Sequence, residues 1–202
     1  MRRSALSVAV AGFAGPAQAH AFDAGADAYG QFVEGAAVML TFPGIVLPLL
    51  ALGVLLSLWR EDGLPKVWPG FLAAQVAGIF GAALVGPVVA LIFMALGIVI
   101  AAVAALAPSV PKAAAYAFAG LAGVFAMLTA FEGHGLFELP VFTHLGLLFG
   151  ANLATALAAG IANLSLTRVE AGWMRIGWRV AASWIGAILM LTLAFEVAGP
   201  IS

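Results

Sequence analysis

Two carboxylates and an imidazole stand within seven residues at Glu132-Gly133-His134-Gly135-Leu136-Phe137-Glu138. Pro140 and a second imidazole, His144, follow closely. Imidazole nitrogen and carboxylate oxygen together suit divalent ions of the nickel, cobalt and zinc type. The stretch lies between two long apolar runs, in a chain where polar atoms are otherwise rare. Ionisable groups at membrane depth are expensive and mark function. At the membrane edge the same residues simply mark where the chain leaves the bilayer. Both readings stand until the surrounding segments are placed.

Those segments are set by composition. The hydrophobic fraction is 64% and the charged fraction 8%, with a mean hydropathy of +1.14. Soluble domains carry roughly 25% charged residues, so the expected class is an integral membrane protein with the lipid bilayer as its first partner. Cysteine is absent, which removes disulfides and thiolate metal sites. The net charge of −1 says little as a sum, and no basic stripe points to nucleic acid.

The N-terminus has the pattern of a secretory signal peptide: Arg2 and Arg3, a short apolar stretch from Ala5 to Ala14, the break Gly15-Pro16, then Ala17-Gln18-Ala19. Cleavage after Ala19 leaves one domain, residues 20–202, beginning at His20. An uncleaved amphipathic start is the other reading. His20 to Gln31 reads as an exposed lead-in.

Six apolar runs follow: Gly35–Trp59, Trp68–Gly86, Pro87–Ala107, Ala113–Phe131, Pro140–Asn163 and Gly177–Ala198. A spanning helix needs about 20 apolar residues, and each run fits. The expected fold is therefore all-α: a polytopic bundle of six transmembrane helices after a cleavable signal peptide. With the N-terminus outside, Arg60, Lys66, Lys112, Arg168, Arg175 and Arg179 all fall in cytoplasmic loops. This is the positive-inside pattern. It predicts a multi-pass protein of the bacterial inner (plasma) membrane, with both mature termini periplasmic. Asp23, Asp27, Glu34, Glu132, Glu138, Glu196, His20, His134 and His144 then lie on the outer side, and only Glu61, Asp62 and Glu170 lie inside. An acidic outer face also arises simply because basic residues are kept from it.

Small residues recur every four positions at Ala74, Gly78, Ala82 and Gly86, at Ala115, Ala119 and Gly123, and at Gly146, Gly150 and Ala154. Such faces let helix backbones approach closely. Gln75, Asn152 and Thr155 are among the few polar groups inside the runs. Hydrogen bonds between helices are one role for them, and a polar path below the outer mouth is the other.

The layout, the stretch Phe131 to Pro140 and Leu153-Ala154-Thr155-Ala156-Leu157 together resemble the HupE/UreJ family of hydrogenase and urease accessory membrane proteins. Phe131, Gly133, Glu138 and Pro140 look like the family's Phe, Gly, Glu and Pro between spans four and five. The family's first-span motif, His-Pro-x-x-Gly-x-Asp-His, is replaced here by Thr41-Phe42-Pro43-Gly44-Ile45-Val46-Leu47-Pro48, without His or Asp. Glu132 stands where the family has a loop histidine, and no histidine follows Leu157. The resemblance implies movement or handling of nickel or a related divalent ion. The ligands left for it are Glu132, His134, Glu138 and His144. The competing expectation is a non-transporting structural or assembly subunit, partnered by a larger membrane complex or by a second copy of the chain. No enzyme motif such as HExxH, Gly-x-Ser-x-Gly or a phosphate loop is present, so no catalytic activity is expected.

Overall fold

A helix whose only polar side chain is one hydroxyl, and which carries no charge, must be covered on every side. Residues Pro43–Trp59 form that helix, with Ser57 as the hydroxyl. The computed structural model describes residues 27–82, 86, 88–134, 138–169 and 172–198. In it the chain forms α1 (Ala28–Thr41), α2 (Pro43–Trp59), α3 (Gly63–Gly81), α4 (Val89–Leu106), α5 (Lys112–Ala130), α6 (Val141–Arg168) and α7 (Gly172–Ala198). No strand occurs among the described residues. The central helix α2 touches each of the other six. Ile45, Leu49, Leu52, Leu55, Leu56 and Leu58 on it are fully buried.

The expected first span is two helices, not one. α1 and α2 meet at Phe42 with a bend of 71°. The cause is Pro43. A residue before proline is pushed out of the α region, and Phe42 is extended at φ −81, ψ 113. Pro43 then sits at the first position of α2, where its missing N–H costs nothing. The Phe42 carbonyl accepts from the N–H groups of Ile45 and Val46 and starts the new helix. Pro48 lies inside α2, and Gly97 of α4 makes room for it: a Cβ on Gly97 would fall 2.7 Å from the Pro48 ring.

The pairings fix helix directions. Gly53 lies against Thr155 and Ser57 donates to the Ala159 carbonyl, so α2 and α6 run the same way. Gly44 beside Met94 and Pro48 beside Gly97 set α4 in the same sense. Gly97 against Leu189 and Gly186 against Ala101 set α7 in the opposite sense. Glu61 bonded to Asn163 and Trp68 bonded to Asn152 set α3 opposite to α6. Gly123 against Phe71 and Gly78 against Met127 set α5 alongside α3. Directions therefore alternate from α2 to α7, while α1 follows the first half of α6 through Gly35, Gly146 and Gly150.

Among the described residues four helices, α4 to α7, are long and apolar enough to cross a bilayer, and the bent pair α1–α2 makes a fifth if it counts as one span. The expected second span is the one that falls short. α3 has 19 residues, but Lys66, Gln75 and two prolines dilute its apolar character. It also starts at Gly63 rather than at Trp68, and α6 and α7 are longer than the apolar runs that announced them. The lead-in expected up to Gln31 is already helical from Ala28, capped by the Asp27 carboxylate on the Gly30 N–H at 2.7 Å. Residues 1–19, expected to be a signal peptide, and His20, Asp23, Pro87 and Glu170 lie outside the described residues.

The small-residue faces are contacts at Gly78, Gly123, Gly146 and Gly150, whereas Gly86, expected to continue the first of them, lies beyond α3 and faces open space. A Cβ on Gly78 would fall 2.6 Å from the Val124 carbonyl oxygen and 2.9 Å from the Met127 Cβ. Gly120 on α5 faces open space instead. Gly78→Leu is therefore expected to lower stability in detergent by about 1–3 kcal/mol, the usual cost of overpacking. Gly120→Ala should be neutral or add up to about 1 kcal/mol through helix propensity. Thermal melts of the two variants check this, and an unchanged melting temperature for Gly78→Leu would show that its face is not packed.

Candidate functional site

Among the described residues the basic side chains gather at one end of the bundle, and most of them have work there. The Arg175 guanidinium donates to the Leu58 carbonyl at the end of α2. Arg179 donates to the carbonyls of Ala105 and Leu106 at the end of α4. Cations near helix C-termini meet unsatisfied carbonyls and the negative end of the helix dipole. Trp178 donates to Ser165 at 2.6 Å, and the Tyr116 hydroxyl donates to the Lys66 carbonyl at 3.0 Å. These bonds tie the turns between α2 and α3, α4 and α5, and α6 and α7 into one end.

The other end carries the candidate ligands. α5 closes at Phe131, and the chain turns through Gly133, whose φ of +83 needs a residue without a side chain. The buried Phe131 ring stands 4.8 Å from the His144 imidazole. His144 is in the first turn of α6, and its Nδ1 donates to the Pro140 carbonyl at 2.9 Å. Its ring thus leans back toward the loop, as expected of a helical side chain. His134 Nδ1 donates to the Glu132 carbonyl at 3.3 Å. A carbonyl only accepts, so both rings carry their proton on Nδ1. In the neutral ring Nε2 is then the acceptor.

Glu132 is half-buried, and desolvation raises its carboxyl above the ordinary value. A hydrogen bond from the Ala90 backbone N–H opposes that shift, and the charge of Glu196 adds to it. Glu132 therefore looks across to the start of α4 and the end of α7, while His134 and His144 stay beside the α5–α6 turn. Glu138 is exposed. No group of three or more His, Asp or Glu side chains among the described residues is placed to share one ion. Gly135, Leu136 and Phe137, the middle of the turn, lie outside the described residues.

Two contributions were not singled out from sequence: the Ala90 N–H and the neighbouring Glu196 charge. Glu196 was readable only as lying on the same side, and a backbone donor has no side-chain signature at all. Of the inner polar residues, Gln75 and Asn152 take the interhelical role, while Thr155 donates within α6 to the Ala151 carbonyl at 3.0 Å. Asn152 Nδ2 donates to Gln75 Oε1 at 2.8 Å and to the Leu148 carbonyl at 2.8 Å, while its Oδ1 accepts from Trp68 Nε1 at 2.8 Å. An indole only donates, which fixes the orientation of the Asn152 amide and then that of Gln75. Comparison with protein-family models, with curated proteins and with solved structures gives no match.

Glu132 gives a pH signature. A carboxyl with a raised folded-state pKa keeps a proton that the unfolded chain has already released above about pH 4.5. Its contribution is fully present below that pH and is lost as pH rises through the folded-state pKa. Glu132→Gln removes the titration. The wild-type melting temperature should fall relative to Glu132→Gln from pH 4.5 upward, and parallel profiles would show that Glu132 is fully solvated.

Proposed function

We propose that the chain is an integral membrane protein that handles a divalent metal ion of the nickel, cobalt or zinc type at its acidic end, in the manner of the HupE/UreJ proteins it resembles. The observation that carries this reading is the anchoring of both imidazoles. His134 and His144 each donate Nδ1–H to a backbone carbonyl. Metal-binding histidines commonly hold their second nitrogen this way, which fixes the tautomer and aims the other nitrogen. Glu132, half-buried and turned toward α4 and α7, is the carboxylate whose ionised form a bound cation would favour. Glu138 completes the proposed ligand set. The role is one of binding and transfer, not catalysis.

The same reading includes the full topology: a signal peptide cleaved after Ala19, six crossings of the bacterial inner membrane and periplasmic mature termini. Its supports are the alternating directions of α2 to α7 and the collection of Arg60, Lys66, Arg175 and Arg179 at one end. Reporter fusions at Asp62 and Lys112 are expected to read cytoplasmic, and a periplasmic signal at either would overturn the map.

One observation favours a second reading, a structural or assembly subunit working with a membrane complex or a second copy. α2 is apolar on all sides and offers a moving ion nothing but Ser57. Metal binding and cellular uptake separate the two. Wild type should bind nickel, cobalt or zinc, and Glu132→Gln with His134→Ala should weaken binding about tenfold or more. If that double variant binds and accumulates metal like wild type, the metal reading is lost and the subunit reading replaces it.

A further inference from the structure

α3 and α6 are tied at their middle by Asn152 and again near the basic end, where Asn163 donates to the Glu61 carbonyl at 3.1 Å. Asn152 works through Trp68 and Gln75, and apart from these ties the two helices make little contact. The gap is a crevice of about 550 Å³, lined by Leu64, Trp68, Phe71, Phe149, Leu153 and Ala156 among others. This lies inside the roughly 300–1,000 Å³ range of small-molecule sites. Its walls are almost wholly apolar. A second hollow, of about 680 Å³, opens at the end of the bundle and is lined by Arg60, Glu61, Asp62, Pro65, Lys66 and Asn163. Pro65 belongs to both, so the apolar crevice and the charged hollow adjoin.

The charges in the hollow sort into pairs. Lys66 and Asp62 bridge each other at 2.6 Å. Arg60 and Glu61 have no ion-pair partner among the described residues. Arg60 rests over the Trp59 ring, 5.2 Å from its centre, as an interfacial residue would. One cation and one anion outside any salt bridge stand at the mouth of a hydrocarbon-lined slot, with the Arg60 charge also acting on Asp62. From Asn163 to Phe149 along α6 the distance is about 21 Å at 1.5 Å per residue. That is somewhat more than half of a hydrocarbon core of about 30 Å.

We infer that this composite cleft between α3 and α6 binds one phospholipid with a zwitterionic, amine-bearing headgroup. An acyl chain lies in the crevice over Trp68, Phe71 and Phe149. The phosphate meets Arg60, and the ammonium meets Glu61. An anionic headgroup would gain the first contact but be repelled by Glu61. The inference is independent of the metal reading and rests only on the helical membrane bundle. A bound lipid would fill the space that α3 and α6 leave between them.

The test is native mass spectrometry of the full chain in mild detergent, titrated with phosphatidylethanolamine or phosphatidylglycerol. Wild type should retain one phosphatidylethanolamine per chain in preference to phosphatidylglycerol. Ala156→Trp, which fills the crevice from a partly open position, should cut that retention about tenfold. Arg60→Gln with Glu61→Gln, both in the turn after α2 and outside the core, should abolish the headgroup preference without unfolding the protein. Equal retention in Ala156→Trp, unchanged preference in the double variant, or a wild-type preference for phosphatidylglycerol would each overturn the inference.

Discussion

Helices in lipid gain little from hiding apolar surface from one another, because the acyl chains are as apolar as they are. What holds this bundle is close backbone approach. A Cβ on Gly53 would fall 2.5 Å from the Thr155 carbonyl oxygen, and Gly146 lies directly over the Phe32 carbonyl. α6 thereby serves two partners, α1 along its first half and α2 along its second. Everything at the acidic end depends on this, because the helix that carries His144 is positioned by the same contacts.

The proline at position 43 decides what α6 can reach. A straight first span would follow one neighbour for its whole length. The bend at Phe42 instead sends the first turns of α2 toward α4, where Pro48 meets Gly97, and brings its last turns back to α6. α2 so becomes the buried axis of the bundle. Its lack of ionisable residues is then a structural necessity, since an unpaired charge at that position would be buried without water or counter-ion. The chemistry is displaced to the two ends.

The ends are built differently. At the basic end, arginines and tryptophans are spent on helix carbonyls and on one another, and the turns are drawn together. At the acidic end, Phe131, Pro140 and Gly133 shape a turn around two anchored imidazoles, and Glu132 faces away toward α4 and α7. The cleft between α3 and α6 belongs to the basic end and exists because α3 pairs chiefly with α5. Asn152, with Trp68 and Gln75, and Asn163, on the Glu61 carbonyl, keep that side closed.

By itself the sequence determined the class of the protein. Composition required helices in lipid, and apolar runs located most of them to within a few residues, because run length and bilayer thickness are tied. The spacing of Ala74 and Gly78 announced a contact face, since i and i+4 share one side of a helix. Other features needed the tertiary structure. Pro43 could bend, kink or merely begin a helix, and only the packing of α2 against α4 and α6 decided for a 71° break. The apolar run that begins at Trp68 overstates α3, because the helix starts at Gly63 and takes in Pro65 and Lys66. At the candidate site, residue types and nearness in sequence were legible, but side-chain direction was not. Carbonyls of Pro140 and Glu132 set the imidazoles, and the Ala90 N–H and Glu196 set the surroundings of Glu132. Backbone groups are common to every residue, so no sequence pattern could have named them.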